Sequence, residues 1–392
     1  MRILILHNRY AQRGGEDVVV ARERNLLTGF GHQVKLHLAH NEDIGGAWDQ
    51  IRVGCRAVYS TDAREQVAAE INRFHPDVVH VHNFFPVLTP SVYDAARTAK
   101  IPVVQSLHNY RLLCLNGVCM RNGHICEDCL RRPVPWPGVV HACYRGSRLA
   151  SGAAAAMLTA HRVLRTWTAK VDVYVALTEF GRDKFIQGGL PADKIVVKPN
   201  FVAPDPGQGE GRGGYALFVG RIAAEKGVKT LLAAWQVLGG RIPLKIIGSG
   251  PLGSEVMTAC HRTPGIEWLG HLPPVRVRSL MKEAMVLVCP SIWHEPFGLV
   301  VAEAYAVGLP VIASGIGSLT SLVHHGRTGL HFRTGSARDL ADAVAWLAGR
   351  PRERAAMRRE ARAEFERTYT AEHNYRRLME VYAKATGNAA TA

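Results

Sequence analysis

A chain of 392 residues is too long for one compact core, so its length implies two domains. The composition is that of an ordinary globular protein, with no disordered tract, which excludes a natively unfolded chain. Lys and Arg number 48 against 33 Asp and Glu, and the net charge of +15 favours anionic partners: nucleotides, nucleic acid or an anionic membrane face.

The chain opens on Arg2-Ile3-Leu4-Ile5-Leu6, an apolar strand with no basic region leading into a longer apolar run. A secretory leader is therefore not expected, and the expected location is the cytoplasm. The run Ala153 to Ala156 is far too short to span a bilayer. After the strand comes His7-Asn8-Arg9-Tyr10-Ala11-Gln12-Arg13-Gly14-Gly15-Glu16-Asp17, then a helical pattern to about Gly29. Strand, glycine pair and helix make a first βα turn in which backbone can approach a phosphate or sugar closely. The G-x-G-x-x-G spacing of a dinucleotide site is missing.

Further strands are expected at about 33–38, 77–82 and 102–107, separated by helical stretches, which implies a doubly wound parallel sheet. His108 stands at the carboxyl end of the 102–107 strand, where such sheets bind ligands, and His82 ends the preceding strand as a second candidate lining residue.

An irregular insert follows, at 111–147, carrying Cys114, Cys119, Cys126, Cys129 and Cys143. Cys126-x-x-Cys129 has metal-ligand spacing, with Cys114 and Cys143 about symmetrically outside it, so these four are candidate ligands of a structural zinc ion. Between Arg111 and Lys170 nine Arg and Lys face only Glu127 and Asp128, a local excess of +7. That basic patch is suited to lipid phosphate or a diphosphate-bearing acceptor.

A helix is expected over about 148–169, then a strand at 172–177, with Thr178 as the N-cap of the next helix. A strand at 194–198 ends the first half, and the Pro- and Gly-rich run from Ala203 to Gly214 reads as a linker. Tyr215-Ala216-Leu217-Phe218-Val219 restarts the pattern and ends in Gly220-Arg221-x4-Lys226-Gly227. Two cations beside a helix N-terminus, with glycines allowing close approach, make a metal-free diphosphate clamp. Gly248 ends the next strand, and His271 and Leu272 follow another in a position to hold a nucleobase.

The apolar run Val286 to Cys289 then leads into His294-Glu295-Pro296-Phe297-Gly298-Leu299-Val300-Val301-Ala302-Glu303, before a second apolar run at Pro310 to Ser314. This reads as strand, turn, helix and strand, with Glu295 at a strand end and Glu303 one to two turns into the helix. A tail at about 350–384 has Arg and Glu mixed at helical spacing and reads as one amphipathic helix.

Gly14-Gly15, Gly220-Arg221-x4-Lys226-Gly227 and Glu295-x7-Glu303 together resemble the retaining glycosyltransferases of family 4, of GT-B fold, over nearly the whole chain. The resemblance implies two Rossmann-like domains facing a cleft: an acceptor domain at 1–200, a linker at 201–214, and a nucleotide-sugar domain at 215–365. A C-terminal helix at 366–392 would pack back on the first domain. It implies that Arg221 and Lys226 bind the donor diphosphate and stabilise its charge as it leaves, and that Glu295 bonds the transferred sugar beside the backbone of Phe297 and Gly298. Leu299 and Val300 would direct N–H groups at the diphosphate, and Glu303 would hold the ribose. His108 would contact the sugar near the reacting carbon, and Gly14-Gly15 would let backbone reach the phosphate and acceptor.

The reaction so implied moves a hexose or N-acetylhexosamine from a nucleotide-diphosphate sugar to a glycan or polyprenyl-diphosphate-linked acceptor in cell-envelope polysaccharide synthesis. It would run at the inner face of the plasma membrane, by front-face retention. An Asp-x-Asp metal motif is missing, so no cofactor is expected for catalysis beyond the structural zinc. Other readings are a GT-B phosphorylase or nucleotide-sugar epimerase, and a basic nucleic-acid-binding protein without enzymatic activity. The first lacks a pyridoxal-phosphate-type lysine, and the last lacks an RNA-binding signature or interleaved aromatics.

Overall fold

The computed structural model describes residues 1–9, 14–40 and 56–387. Tyr10 to Arg13 of the first predicted βα loop lie outside it. The chain divides into two compact units. The first holds the described residues of Met1–Cys119, Cys126–Pro199 and the chain from Asn374 onward; the second holds Met120–Ile125 and Asn200–His373.

In the first unit the order is β1 (Arg2–Arg9), α1 (Gly15–Gly29), β2 (Gln33–His40), α2 (Thr61–Phe74), β3 (Val78–Asn83), α3 (Ser91–Thr98) and β4 (Val103–Ser106). The hairpin β5 (Met120–Arg121) and β6 (His124–Ile125) falls within the cysteine-bearing insert. Then come α4 (Trp136–Val140), α5 (Arg148–Val163), α6 (Thr166–Ala169), β7 (Val173–Ala176), α7 (Glu179–Gln187) and β8 (Ile195–Val197). The strands form one parallel sheet in the order β2-β1-β3-β4-β7-β8.

Side chains alternate across that sheet. Leu4, Leu6, Val79, Val81 and Val103 pack on one face with Val67, Ile71, Val92 and Leu158. Ile3, Ile5, Val78, Val104 and Val173 pack on the other with Val20 and Leu27 of α1 and with Leu378, Val381 and Tyr382 of the C-terminal helix. Both faces are covered, which is why the strands read as unbroken apolar runs rather than alternating ones. Full burial of each such Ile or Leu contributes about 1.5–3 kcal/mol.

The second unit runs β9 (Ala216–Val219), α8 (Val228–Leu238), β10 (Leu244–Ile247), α9 (Gly253–Arg262), β11 (Ile266–Trp268), α10 (Pro274–Glu283) and β12 (Val286–Cys289). It continues with α11 (Leu299–Ala306), β13 (Val311–Ser314), α12 (Leu319–Leu322), β14 (Gly329–Phe332), α13 (Ala337–Ala348) and α14 (Pro351–Thr368). Its sheet is parallel, in the order β11-β10-β9-β12-β13-β14, so the chain reverses direction across the sheet between β9 and β12. The expected pair of doubly wound Rossmann-like sheets is thus what the chain forms.

Local differences have local causes. Thr178 does cap its helix, its Oγ1 accepting from the Gly181 N–H. The helix expected over 148–169 stops at Val163, because Arg165 takes a left-handed conformation with φ 52° and a new short helix starts after it. The single tail helix is two, α14 and α15 (Ala371–Thr386), broken at Tyr369 and Thr370, where Thr370 Oγ1 accepts from the His373 N–H and caps the second.

Candidate functional site

Every strand of the second sheet is parallel, so Gly220, Gly248, His271, Leu272 and Glu295 all follow strand carboxyl ends on one edge. The strands on either side of the reversal, β9 and β12, bring two loops together. Gly227 has φ 69°, and a Cβ there would lie 1.8 Å from the Pro290 carbonyl oxygen. Only glycine permits that approach. The Ile292 N–H donates to the Glu225 carbonyl at 2.9 Å and ties the same two loops. Gly248, at φ 137°, is similarly pressed on the Gly220 carbonyl, where a Cβ would stand at 1.9 Å.

This docking sets Lys226 against Glu295. The ammonium Nζ lies 2.5 Å from Glu295 Oε1, and the Ser291 hydroxyl donates to the same oxygen at 2.7 Å. Lys226 also stands over the Trp293 ring, 5.5 Å from its centroid. Glu295 is 5 % exposed, and burial alone would raise its pKa, but the Lys226 charge and the bonds from Lys226 and Ser291 outweigh it and hold the carboxyl below its usual range. Burial works against the Lys226 charge too, and the Glu295 carboxylate more than restores it. The carboxylate and the ammonium are thus both ionised at neutral pH, fixed in one geometry. Arg221 is different: its side chain is exposed and bonded at 2.7 Å to Glu225.

Gly298 enters α11 in a left-handed conformation, φ 83°, and Leu299 and Val300 open the helix. The first N–H groups of a helix have no intrahelical partner and carry its positive dipole end. Phe297 is buried against Tyr369, and Glu303 is half-buried on the fifth residue of α11. His271 is exposed and Leu272 half-buried after β11, beside Gly248, whose N–H donates to the Gly270 carbonyl at 2.8 Å.

In the first unit, Gly14 is the N-cap of α1 and its N–H donates to Asp17 Oδ2 at 2.8 Å. Among the described residues, a Cβ on Gly14 or Gly15 meets nothing within 4 Å. His108 follows β4 and is half-buried. His82, expected as a lining residue, is instead 3 % exposed and stands behind His108, its Nδ1 2.9 Å from His108 Nε2. Strand β3 is covered on both faces, and His82 points into one of them.

Several residues that the sequence does not single out gather here. His7 Nε2 lies 3.0 Å from Asp17 Oδ1. Burial pushes Glu16 up to about 8, with the Asp17 charge adding to it. Glu23 of α1 and Lys198 after β8 form a fully buried ion pair at 2.5 Å. Nothing local marks Glu23 or Lys198 as special, since each sits among other charged or apolar residues in its own element. The one signal is the His80-x-His82 pair within an otherwise apolar strand.

The cysteines of the insert are thiols rather than disulfides. Cys114, Cys126 and Cys143 all act electrostatically on the buried Cys129 thiol, which burial pushes up to about 11. The Cys114 thiol donates to Asn116 Oδ1 at 2.9 Å, and its interaction with Cys119, which is outside the expected quartet, pulls it down to about 6. Among the described residues, the group close enough to share one ion is Glu23, His80 and His82.

The sequence profile described as "Glycosyl transferases group 1" matches residues 208–364, and that described as "Glycosyl transferase 4-like domain" matches residues 14–200. The chain is 35 % identical over 193 residues to the D-inositol 3-phosphate glycosyltransferase of Nocardioides sp., covering 43 % of this chain and 41 % of that one. It is 32 % identical over 194 residues to the alpha-maltose-1-phosphate synthase of Mycolicibacterium smegmatis, covering 43 % and 50 %. The matches span about half the length of these curated relatives or less. Among solved structures, Anabaena HepE in complex with UDP superposes with a TM-score of 0.70 at 16 % identity, over 98 % of this chain and 100 % of that one. The same protein has been solved with UDP-glucose.

Proposed function

We propose, for a chain that belongs to the family-4 glycosyltransferases of GT-B fold, that it transfers a sugar from a nucleoside-diphosphate sugar with retention at the anomeric carbon. The observation that carries the reading is the Lys226–Glu295 pair held at the strand reversal beside the N-terminus of α11. A diphosphate leaving an oxocarbenium-like centre builds negative charge, and preorganised positive charge there lowers the barrier. Lys226, with its ammonium already fixed, and the bare N–H groups of Leu299 and Val300 supply it without a metal ion.

Arg221 is exposed and can exchange Glu225 for a phosphate oxygen. Glu295, ionised and rigid, accepts hydrogen bonds from hydroxyls of the transferred sugar, and Glu303 accepts from the ribose. Gly248, His271 and Leu272 flank the base at the ends of β10 and β11. In the first unit, His108 holds a sugar hydroxyl, and the N-terminus of α1 at Gly14 and Gly15 receives phosphate. We favour a front-face displacement in which the departing phosphate itself takes the acceptor proton.

The donor is a nucleotide sugar, a reading supported by the UDP and UDP-glucose held by HepE. We assign a hexose or N-acetylhexosamine as the moiety transferred, and a glycan on a polyprenyl diphosphate as the acceptor. The basic stretch of the first unit supports the acceptor side. From Cys129 to Val171 there is no acidic residue. The solvent face of α5 carries Leu149, Ala156 and Val163, continues into Leu164, and is bounded by Arg145, Arg148 and Arg165. Helix α4, packed on α5, adds exposed Trp136 and Val140. Cations flanking exposed large apolar side chains suit the inner face of an anionic membrane. No helix among the described residues is long and apolar enough to cross one. A thermal-shift screen of UDP-, GDP- and ADP-sugars tests the donor assignment: stabilisation by one nucleotide series supports it, and no stabilisation by any of the three at millimolar concentration defeats it.

A further inference from the structure

His108 is the end of a buried chain of groups that begins at a carboxylate. Lys198 Nζ lies 2.5 Å from Glu23 Oε1, and both residues are 1 % exposed. Burial opposes the Glu23 charge, but the Lys198 ammonium overcomes it and holds the carboxyl below its usual range, so Glu23 is ionised and can only accept hydrogen bonds. Its other oxygen, Oε2, faces His82 Nε2 at 3.3 Å, a close electrostatic contact without hydrogen-bond alignment, and neither atom has a hydrogen-bond partner. His82 Nδ1 in turn lies 2.9 Å from His108 Nε2. The two rings are 5.1 Å apart and tilted by only 14°, the separation of imidazoles set edge to edge in one plane and joined through their nitrogens.

This sequence of contacts admits one arrangement of protons. Burial keeps His82 and His108 neutral, so each ring has a single N–H. A carboxylate facing Nε2 at 3.3 Å repels a lone pair there and so draws the single His82 proton to Nε2, which leaves His82 Nδ1 as a lone pair. That lone pair requires the N–H of His108 to be on Nε2. His108 Nδ1 is then bare, and no described residue bonds to it.

A metal ion is the competing occupant, since Glu23, His80 and His82 converge closely enough to share one. Two contacts argue against it. The Lys198 ammonium already supplies the positive charge that Glu23 requires. Both nitrogens of His80 are also taken, Nδ1 by the Tyr382 hydroxyl and Nε2 by Ser106 Oγ, each at 2.9 Å.

We propose that Glu23 and His82 are positioning residues, which hold His108 as its Nε2–H tautomer and so present a bare Nδ1 to a hydroxyl of the substrate sugar. The tautomer follows from the buried chain alone; that a sugar hydroxyl is what meets Nδ1 rests on the transferase reading above. An imidazole that only accepts would select for a hydroxyl donor at that point and would reject an ether or a carbonyl oxygen.

The test is long-range proton–nitrogen correlation on the full chain labelled with 15N-histidine, with the His108 signals identified by their loss in His108→Gln. At neutral pH the expected wild-type signature is a protonated Nε2 and an unprotonated Nδ1. In His82→Leu, which removes the acceptor, the His108 tautomers mix. In His82→Gln, whose amide oxygen can still accept, the Nε2–H form persists. With an active donor, His82→Leu should lower kcat by about tenfold, the loss of one hydrogen bond at the reacting sugar, and His82→Gln should recover most of it. A wild-type His108 protonated on Nδ1, or on both nitrogens, overturns the proposal, as does an unchanged tautomer in a folded His82→Leu. If His82→Leu does not fold, the wild-type spectrum and His82→Gln still decide. The expected tautomer with no turnover of any nucleotide sugar would sink the transferase reading while leaving the buried chain as described.

Discussion

Lys226 and Glu295 are separated by 69 residues in sequence and by 2.5 Å in space, and the contact exists because Gly227 lets its loop press on the Pro290 carbonyl. Removing either charge leaves the other largely desolvated. Lys226→Met should therefore lose stability, by about 1–3 kcal/mol for an unsatisfied buried group, as well as transfer activity. Glu295→Gln keeps the shape and should lower transfer at least tenfold, about 1.4 kcal/mol, with a smaller thermal shift. Chemical denaturation of both variants checks the first half. Equal stability of wild type and Lys226→Met would show that the pair is not coupled.

Arg221 offers the converse. Arg221 itself is exposed although its partner Glu225 is half-buried, and pairs with one arm in solvent are worth about 0–1 kcal/mol. Arg221→Ala should leave the melting temperature within about one or two degrees of wild type and still cut transfer tenfold or more, about 1.4 kcal/mol. A fully active Arg221→Ala with every accepted donor would remove this residue from the diphosphate clamp.

Glu16 predicts a pH dependence. Its folded pKa is raised to about 8 by burial and by Asp17, against an ordinary value of 4.5. Between those values the folded chain holds a proton that the unfolded chain has released, so stability falls as pH rises from 4.5 towards 8. Glu16→Gln removes that loss. The variant should match wild type near pH 5 and exceed it in denaturant midpoint near pH 8. Parallel pH profiles for the two proteins would contradict the assignment.

The apolar face of α5 makes a prediction about lipid. Wild type should sediment with vesicles containing phosphatidylglycerol and not with pure phosphatidylcholine, and added salt should release it. Leu149→Ser combined with Val163→Ser should weaken this binding several-fold without altering turnover of a soluble acceptor, because both side chains are exposed. Equal binding to neutral and anionic vesicles, or to none, would end the membrane reading.

Much of the architecture is legible in the order of residues. Uninterrupted runs such as Ile3 to Leu6 and Val286 to Cys289 announce strands covered on both faces, and strand ends in parallel sheets announce where ligands bind. The GT-B fold and the family follow from the same motifs. Partnership is less legible. Glu23, His82, His108 and Lys198 come from α1, β3 and the residues following β4 and β8, and a lone Lys at the end of a strand reads as solvated until its carboxylate is seen. His82 reads as a lining residue because periodicity places a residue on a strand and does not say which layer covers it. The breaks at Arg165 and Thr370 are hidden for a similar reason, since each depends on a conformation or a cap that helical spacing leaves open.

The central claim is that the second unit binds a nucleoside-diphosphate sugar through Lys226 and Glu295 and releases the diphosphate without a metal ion. The most direct measurement is diphosphate release and product formation from UDP-, GDP- and ADP-sugars in the presence of EDTA, with wild type and Glu295→Gln side by side. The account predicts that wild type consumes at least one donor in EDTA, with the anomeric configuration retained in the product, and that Glu295→Gln does so at least tenfold more slowly, about 1.4 kcal/mol. Turnover that requires an added divalent ion, or equal rates for wild type and Glu295→Gln, would contradict it.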